Sequence, residues 1–445
     1  MFYRENSNIF RYIQLFALAL LLFISGLQIP SLSNLSFFLI IPLALTNDIF
    51  GLPRLLTIEK IFKKEYILLF FTLASFAIIY FLTLEYYEIN GIDQENKVWI
   101  NIFRFLIYYI IGIGINYSRL PYYPYNLVLL LLSLISGSTI FIFLSVNKVT
   151  FGALAFFKLE GTEIPNVWGG DDLHIRNVDM FSSLNMGLFP LLLYGRDRNF
   201  KSSYIDWFIT ILLIPLFLLS LYSSLALRGR TPLMVLVASL TLATIFILFK
   251  SGKSKLLRKI WIFMLISISV IAFVDFAEIW NLVSGTGLLE RFESEGLDTP
   301  RYEMWNTVLE KMFDYPFGGK KFKLVSEWAH NLWLDTVYEA GIIPSLLLII
   351  FQLIHLKAFI KVFSSALPRI VSLAVIGITI GFALTFMIQP IMAASTVYFA
   401  ISCFFLGVVK RLAEDLEIYA QQQRILRLNS YVLSENSQSI ITPRN

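Results

Sequence analysis

The chain has 445 residues, 57% of them hydrophobic and 41 of them phenylalanine. Its mean hydropathy is +0.70 and 15% of its residues are charged, against roughly 25% in a soluble domain, which excludes an ordinary soluble fold. The net charge of +5 needs no nucleic acid, because basic loops of a membrane protein supply it, and the single Cys403 excludes an intrachain disulfide or a thiolate metal cluster.

Apolar runs of nearly 20 residues, each long enough to cross a bilayer as a helix, recur in chain order. They fall at about 12–29, 33–47, 66–84, 102–117, 125–146, 178–195, 206–224, 231–249, 260–278, 341–359, 369–388 and 391–409. The second and sixth are weakest, since Asn34, Ser182, Ser183 and Asn185 need partners inside the protein. With the N-terminus inside, every inside segment is basic: Arg4 and Arg11; Arg54, Lys60, Lys63 and Lys64; Arg119; Arg196, Arg198 and Lys201; Lys250 to Lys259; Lys357, Lys361 and Arg369. That repeated asymmetry follows the positive-inside rule. It predicts an all-α, polytopic membrane protein of about twelve helices with both termini cytoplasmic. Residues 1–409 form the transmembrane domain, and 410–445 form a cytoplasmic tail that begins as an amphipathic helix and ends loose.

Two outer loops, 147–177 and 277–341, are long enough to fold over something or to carry function. In the second, RYEMWNTVLEKMF predicts a helix with Tyr302, Trp305, Val308, Leu309 and Met312 on one face. DYPFGG turns the chain, WAHNLWLDTVYEA predicts a second short helix, and Gly341 closes it. Both helices are expected to lie over the outer mouth of the bundle.

His330 is the leading candidate for chemistry, because a neutral imidazole takes a proton from a hydroxyl near neutral pH without a large shift. His174 in DDLHIRN is a second candidate, and His355 in the tenth run reads as structural. Arg228 and Arg230, in the outer turn ALRGRTP, break the charge asymmetry; arginine at a membrane edge binds phosphate oxygens bidentately. Arg291 and Arg301 flank the acidic run ESEGLD. Lys320, Lys321 and Lys323 form a weaker basic patch, and Asn331 and Asp335 stand beside His330. No HExxH, G-x-S-x-G or phosphate-loop motif is present. The acidic pair Asp171 and Asp172 has only Glu160 and Glu163 for company. Catalysis without metal or cofactor is therefore expected, with arginine charge on a diphosphate leaving group.

Three segments carry a family resemblance: RGRTPLMVLVASL at 228–240, RYEMWNTVLEKMFDYPFGG at 301–319 and AHNLWLDTVYEAGIIP at 329–344. In that order they resemble the outward arginine, the arginine-and-aromatic helix, and the His-Asn before Glu-x-Gly of the bacterial O-antigen polymerase and O-antigen ligase superfamily. The resemblance implies a GT-C-like membrane glycosyltransferase that works at the periplasmic face of the inner membrane, with inversion. Its donor would be an undecaprenyl-diphosphate-linked oligosaccharide, and its acceptor a lipid-linked repeat or lipid A-core; membrane lipids and a chain-length regulator are the other implied partners. Carried across, Arg230 and Arg301 hold the diphosphate, Arg228 or Arg291 assists, Arg176 contacts the donor, and His330 acts as base or orients the acceptor hydroxyl. This chain has LRGRTP where the family shows SRG or TR-type sequence, so the counterpart is either Arg228 or Arg230.

Residue usage and loop idiosyncrasy favour the polymerase over the ligase. A flippase of the same lipid-linked glycan would carry its charges along an inner cavity, whereas these spans read as nearly charge-free. A non-catalytic scaffold gives no reason for Arg228, Arg230 and His330 on one side.

Overall fold

A computed structural model describes residues 2–29, 32–49, 64–89, 98–150, 163–164, 168, 173–194, 203–226, 230–251, 301–365 and 367–439. They form α1 (Phe2–Gly26), α2 (Leu32–Ile49), α3 (Lys64–Tyr86), α4 (Val98–Gly114), α5 (Tyr125–Thr150), α6 (Ile175–Gly187), α7 (Phe189–Tyr194), α8 (Ser203–Ala226) and α9 (Arg230–Ser251). The chain continues through α10 (Arg301–Lys311), α11 (Leu332–Ala340), α12 (Ile342–Ser364), α13 (Arg369–Ile388), α14 (Ile391–Ala394) and α15 (Thr396–Ser439). Apart from one antiparallel pair, β1 (Glu163–Ile164) with β2 (Leu173–His174), the regular elements among the described residues are helices. The protein is an all-α, multi-spanning membrane protein. In hydrocarbon each backbone N–H and C=O must be satisfied within its own segment, which is why apolar runs of this length become helices.

Eight described helices are long and apolar enough to cross a membrane. They match the first, third, fifth, seventh, eighth, tenth, eleventh and twelfth expected runs. The other runs differ for local reasons. α2 carries Pro42 and polar residues, and α4 is 17 residues long. The sixth run is split at Leu188, between α6 and α7, where Gly187 and Pro190 interrupt the helix. The ninth, 260–278, lies outside the described residues.

α15 packs along α4, α1 along α5, and α6 between α9 and α13. At the crossing of α6 and α13, a Cβ on Gly187 would strike the Gly377 carbonyl, and one on Gly377 would strike that of Gly187. Small residues permit such backbone approach where no hydrophobic force distinguishes helix from lipid. The approach places the start of α6 beside the end of α13.

At one end of the bundle Arg411 is buried. It reaches Asp415 at 3.1 Å and donates to Asn116 Oδ1 at 3.0 Å. Tyr66 donates to Glu414 at 2.6 Å, Lys361 pairs with Glu417, and Lys250 donates to the Leu367 carbonyl. The helix expected to begin a solvated tail is therefore continuous with the last span, and its first turns past 410 are packed into the bundle. His355 is fully buried, 3.0 Å from the Tyr109 hydroxyl and 2.7 Å from the Phe351 carbonyl, which accords with a structural histidine. Segment 301–341 lies at the opposite end.

Candidate functional site

Residues 301–341 build a small core of their own from Met304, Val308, Leu324, Ala329, Val337 and Tyr338, with Trp305 and Met312 packed against it. The buried stripe of α10 therefore runs through Met304 and Val308. Tyr302 and Leu309, expected on that face, are exposed. The turn after α10 is pinned to α11 by Gly319 N–H to the Glu339 carbonyl at 2.8 Å and to the start of α12 by Ile342 N–H to the Pro316 carbonyl at 2.9 Å. Gly341, at φ +94°, leaves no room for a Cβ against Pro316 and Phe317.

This small core fixes the approach to His330. The residue precedes α11 and adopts a left-handed backbone, φ +56°, which a side chain holds only when its surroundings impose it. Three side chains impose it here. The Asp335 carboxylate accepts the Ala329 N–H at 2.6 Å and the Asn331 N–H at 3.0 Å, so it brackets His330 on both sides. The Trp305 indole N–H donates to the Ala329 carbonyl at 2.8 Å. Asn331 caps α11 by accepting from the Trp333 and Leu334 amides, and its side-chain N–H reaches the Met387 carbonyl at the end of α13, 3.2 Å away.

Arg176 Nη1 lies 3.3 Å from His330 Nδ1, and the Ser326 hydroxyl lies 3.4 Å from Nε2. A guanidinium only donates, so Nδ1 is the acceptor and the ring proton sits on Nε2. The structure thus brings together Arg176 and His330, 154 residues apart in sequence. Gln389, just after α13, donates to Asp179 Oδ2 at 3.1 Å and to the Thr231 hydroxyl at 3.0 Å. That bridge ties α6, one turn beyond Arg176, to the first turn of α9. Arg176, Arg230 and Arg301 accordingly occupy the first or second positions of α6, α9 and α10, all at this end of the bundle. A cation in the first turn opposes the helix dipole, so helix stability does not explain three of them.

The carboxylates of α11 are buried. Glu339 accepts the Tyr80 hydroxyl at 2.5 Å and lies 3.7 Å from Lys320 Nζ. Burial first, then for Asp335 the neighbouring Glu339 charge, holds both carboxyls above their ordinary range. A raised folded-state value contributes stability that is complete in acid and lost as pH rises through it. Unfolding midpoints of the wild type and Glu339→Gln in detergent are therefore expected to converge or cross as pH rises from the ordinary glutamate range toward neutral, with the wild type losing ground. Parallel curves would show that Glu339 does not titrate with folding.

Lys320 is engaged by Glu339 and by the Trp328 ring, 5.1 Å from its centroid, and Lys321 lies over Tyr87 at 4.7 Å. Asp335 is turned to backbone amides and Asn331 to a helix end, so both hold the histidine loop in place. The backbone of His174 ends β2, directly before α6. Arg228, Arg291, Asp171, Asp172 and Glu160 lie outside the described residues. The reading of nearly charge-free spans passed over Asp179 and Arg104, although a lone charge in an apolar run is itself a signal. Gln389, Thr231, Ser326 and Tyr80 carry no sequence signal; only the packing of distant helices reveals them.

No family model matches this chain, and no curated protein is significantly similar to it.

Proposed function

We propose that the protein is a membrane glycosyltransferase that joins lipid-linked oligosaccharide repeats at the outer face of a bacterial inner membrane, as an O-antigen polymerase does. The observation that supports this most is the pairing of Arg176 with His330 beside the helix starts that carry Arg230 and Arg301. The expected substrate has one anionic diphosphate and one reacting hydroxyl, and the site offers guanidinium groups for the first and an imidazole for the second.

In this reading the donor diphosphate is held by Arg176, Arg230 and Arg301, reinforced by the positive ends of α6, α9 and α10. Drawing Arg176 toward phosphate releases the His330 Nδ1 lone pair. The acceptor hydroxyl loses its proton to that nitrogen as its oxygen bonds to the anomeric carbon. The bond from that carbon to the diphosphate oxygen breaks, and its electron pair stays on undecaprenyl diphosphate, where the arginines stabilise it. The prenyl tail remains in lipid throughout. A ligase using lipid A-core as acceptor would use the same donor half, and the resemblance to that superfamily keeps it as the second reading.

Glycan display on a gel from cells lacking the gene tests the assignment. Lipid A-core capped by a single repeat is the expected result and names a polymerase. Uncapped core, with polymer retained on undecaprenyl diphosphate, names a ligase, and an unchanged ladder rejects both.

A further inference from the structure

We propose that Arg104 forms a second anion site, which holds the phosphate head of a lipid-borne acceptor on the other flank of the broken segment between α13 and α15. The inference rests on the glycosyl-transfer reading and adds to it a place for the second lipid-linked substrate. Arg104 is the seventh residue of α4, roughly 9 Å from its start at 1.5 Å per residue. A charge inside an apolar span is costly and is kept where it has work to do.

The contacts of Arg104 are neutral. Its Nη1 donates to Asn101 Oδ1 at 2.8 Å and to the Thr396 hydroxyl at 3.0 Å. Among the described residues no carboxylate pairs with it, and its Nε is buried without an acceptor. One turn along α4, the Tyr108 hydroxyl faces Arg104 and Ser25. Tyr108 and Ser25 are fully buried, and neither hydroxyl has a hydrogen-bond partner of good geometry. Buried polar atoms in native proteins are nearly always satisfied. Here a buried arginine N–H lacks an acceptor beside two buried hydroxyls that have only each other to face, a set of donors that a phosphate oxygen completes. Thr396 also begins the 44-residue α15, whose positive end favours an anion there.

Position supports an acceptor. Residues 389–396 run between two polar points, with Gln389 tied to Asp179 and Thr231 near Arg176, and Thr396 tied to Arg104. Trp99 and Phe103 on α4 are exposed, so a prenyl chain can lie along them while its phosphate reaches Arg104. Bulk phospholipid offers the same phosphate chemistry, and the test separates the two sources.

The experiment is equilibrium binding of radiolabelled farnesyl diphosphate to the full-length protein in phosphatidylcholine nanodiscs. Two equivalents are expected for the wild type. Arg104→Gln should weaken one of them at least about ten-fold, the loss of a charge-assisted hydrogen bond, and leave the other, which also reports that the variant is folded. Arg176→Ala should weaken the other equivalent and spare the one at Arg104. Two unaltered equivalents in Arg104→Gln would overturn the proposal. Repeating the titration in nanodiscs of phosphatidylcholine and phosphatidylglycerol in equal parts should leave the Arg104-dependent equivalent in place. Its displacement there would assign the site to bulk phospholipid and overturn the acceptor assignment. Binding is read without turnover, so failure of the glycosyl-transfer reading on the gel and failure of the Arg104 site are separate results.

Discussion

Replacing His330 by alanine or asparagine is expected to lower the rate of glycosyl transfer by about 10²–10⁴-fold, the usual contribution of a positioned general base. The two variants separate chemistry from shape. His330 holds a left-handed backbone that alanine adopts poorly and asparagine tolerates. Asparagine therefore keeps the turn between Ala329 and Asn331 but offers no base at neutral pH. If His330 takes the proton, both variants lose transfer while His330→Asn keeps its unfolding midpoint. If the residue only shapes the turn, His330→Asn retains activity, and the proposed mechanism loses its base. Arg176→Ala should impair transfer differently, by weakening donor binding as well as the rate, because it is assigned to the leaving group.

Asp335→Ala should produce the second large effect, on stability and activity together. The Asp335 carboxylate is the acceptor for the N–H groups on both sides of His330, and the residue is almost wholly buried. Removing it leaves two buried donors unsatisfied, at about 1–3 kcal/mol each. Asp335→Asn keeps one acceptor oxygen and should fall between the variant and the wild type in thermal unfolding. As a positioning residue, Asp335 acts through His330, so among variants that remain folded kcat should fall while KM for the lipid-linked donor stays near the wild-type value. A rise in KM with kcat unchanged would instead mean that Asp335 helps to hold substrate.

The apolar runs make most of the membrane architecture legible in the sequence, because each span must satisfy its own backbone and so announces itself by length and composition. The splits are harder to read. Gly187 and Pro190 interrupt an apolar run that reads as one span, and only the structure shows that Gly187 also admits the close approach of Gly377. In segment 301–341 the pattern locates two helices and the turn between them and groups Tyr302 and Leu309 with Val308 on one face, but both are exposed. The small core there is centred on Met304 and Val308 because α10 packs against Leu324, Ala329 and Val337 rather than onto the bundle. His330 stands out by composition, and Arg176 by the resemblance. Their contact was not legible, since it depends on Asn331 reaching α13 and on Gln389 joining α6 to α9. Arg104 was visible as a lone charge in an apolar run; its neutral partners were not.

The central claim is tested most directly by incubating the purified protein, reconstituted in nanodiscs, with an undecaprenyl-diphosphate-linked repeat, with and without lipid A-core, and measuring release of undecaprenyl diphosphate. The expected result is a product ladder from the repeat alone, with one undecaprenyl diphosphate freed per linkage formed and almost none freed by His330→Asn. Folded protein that frees no undecaprenyl diphosphate with either acceptor, or a His330→Asn variant that frees it at the wild-type rate, would contradict the account.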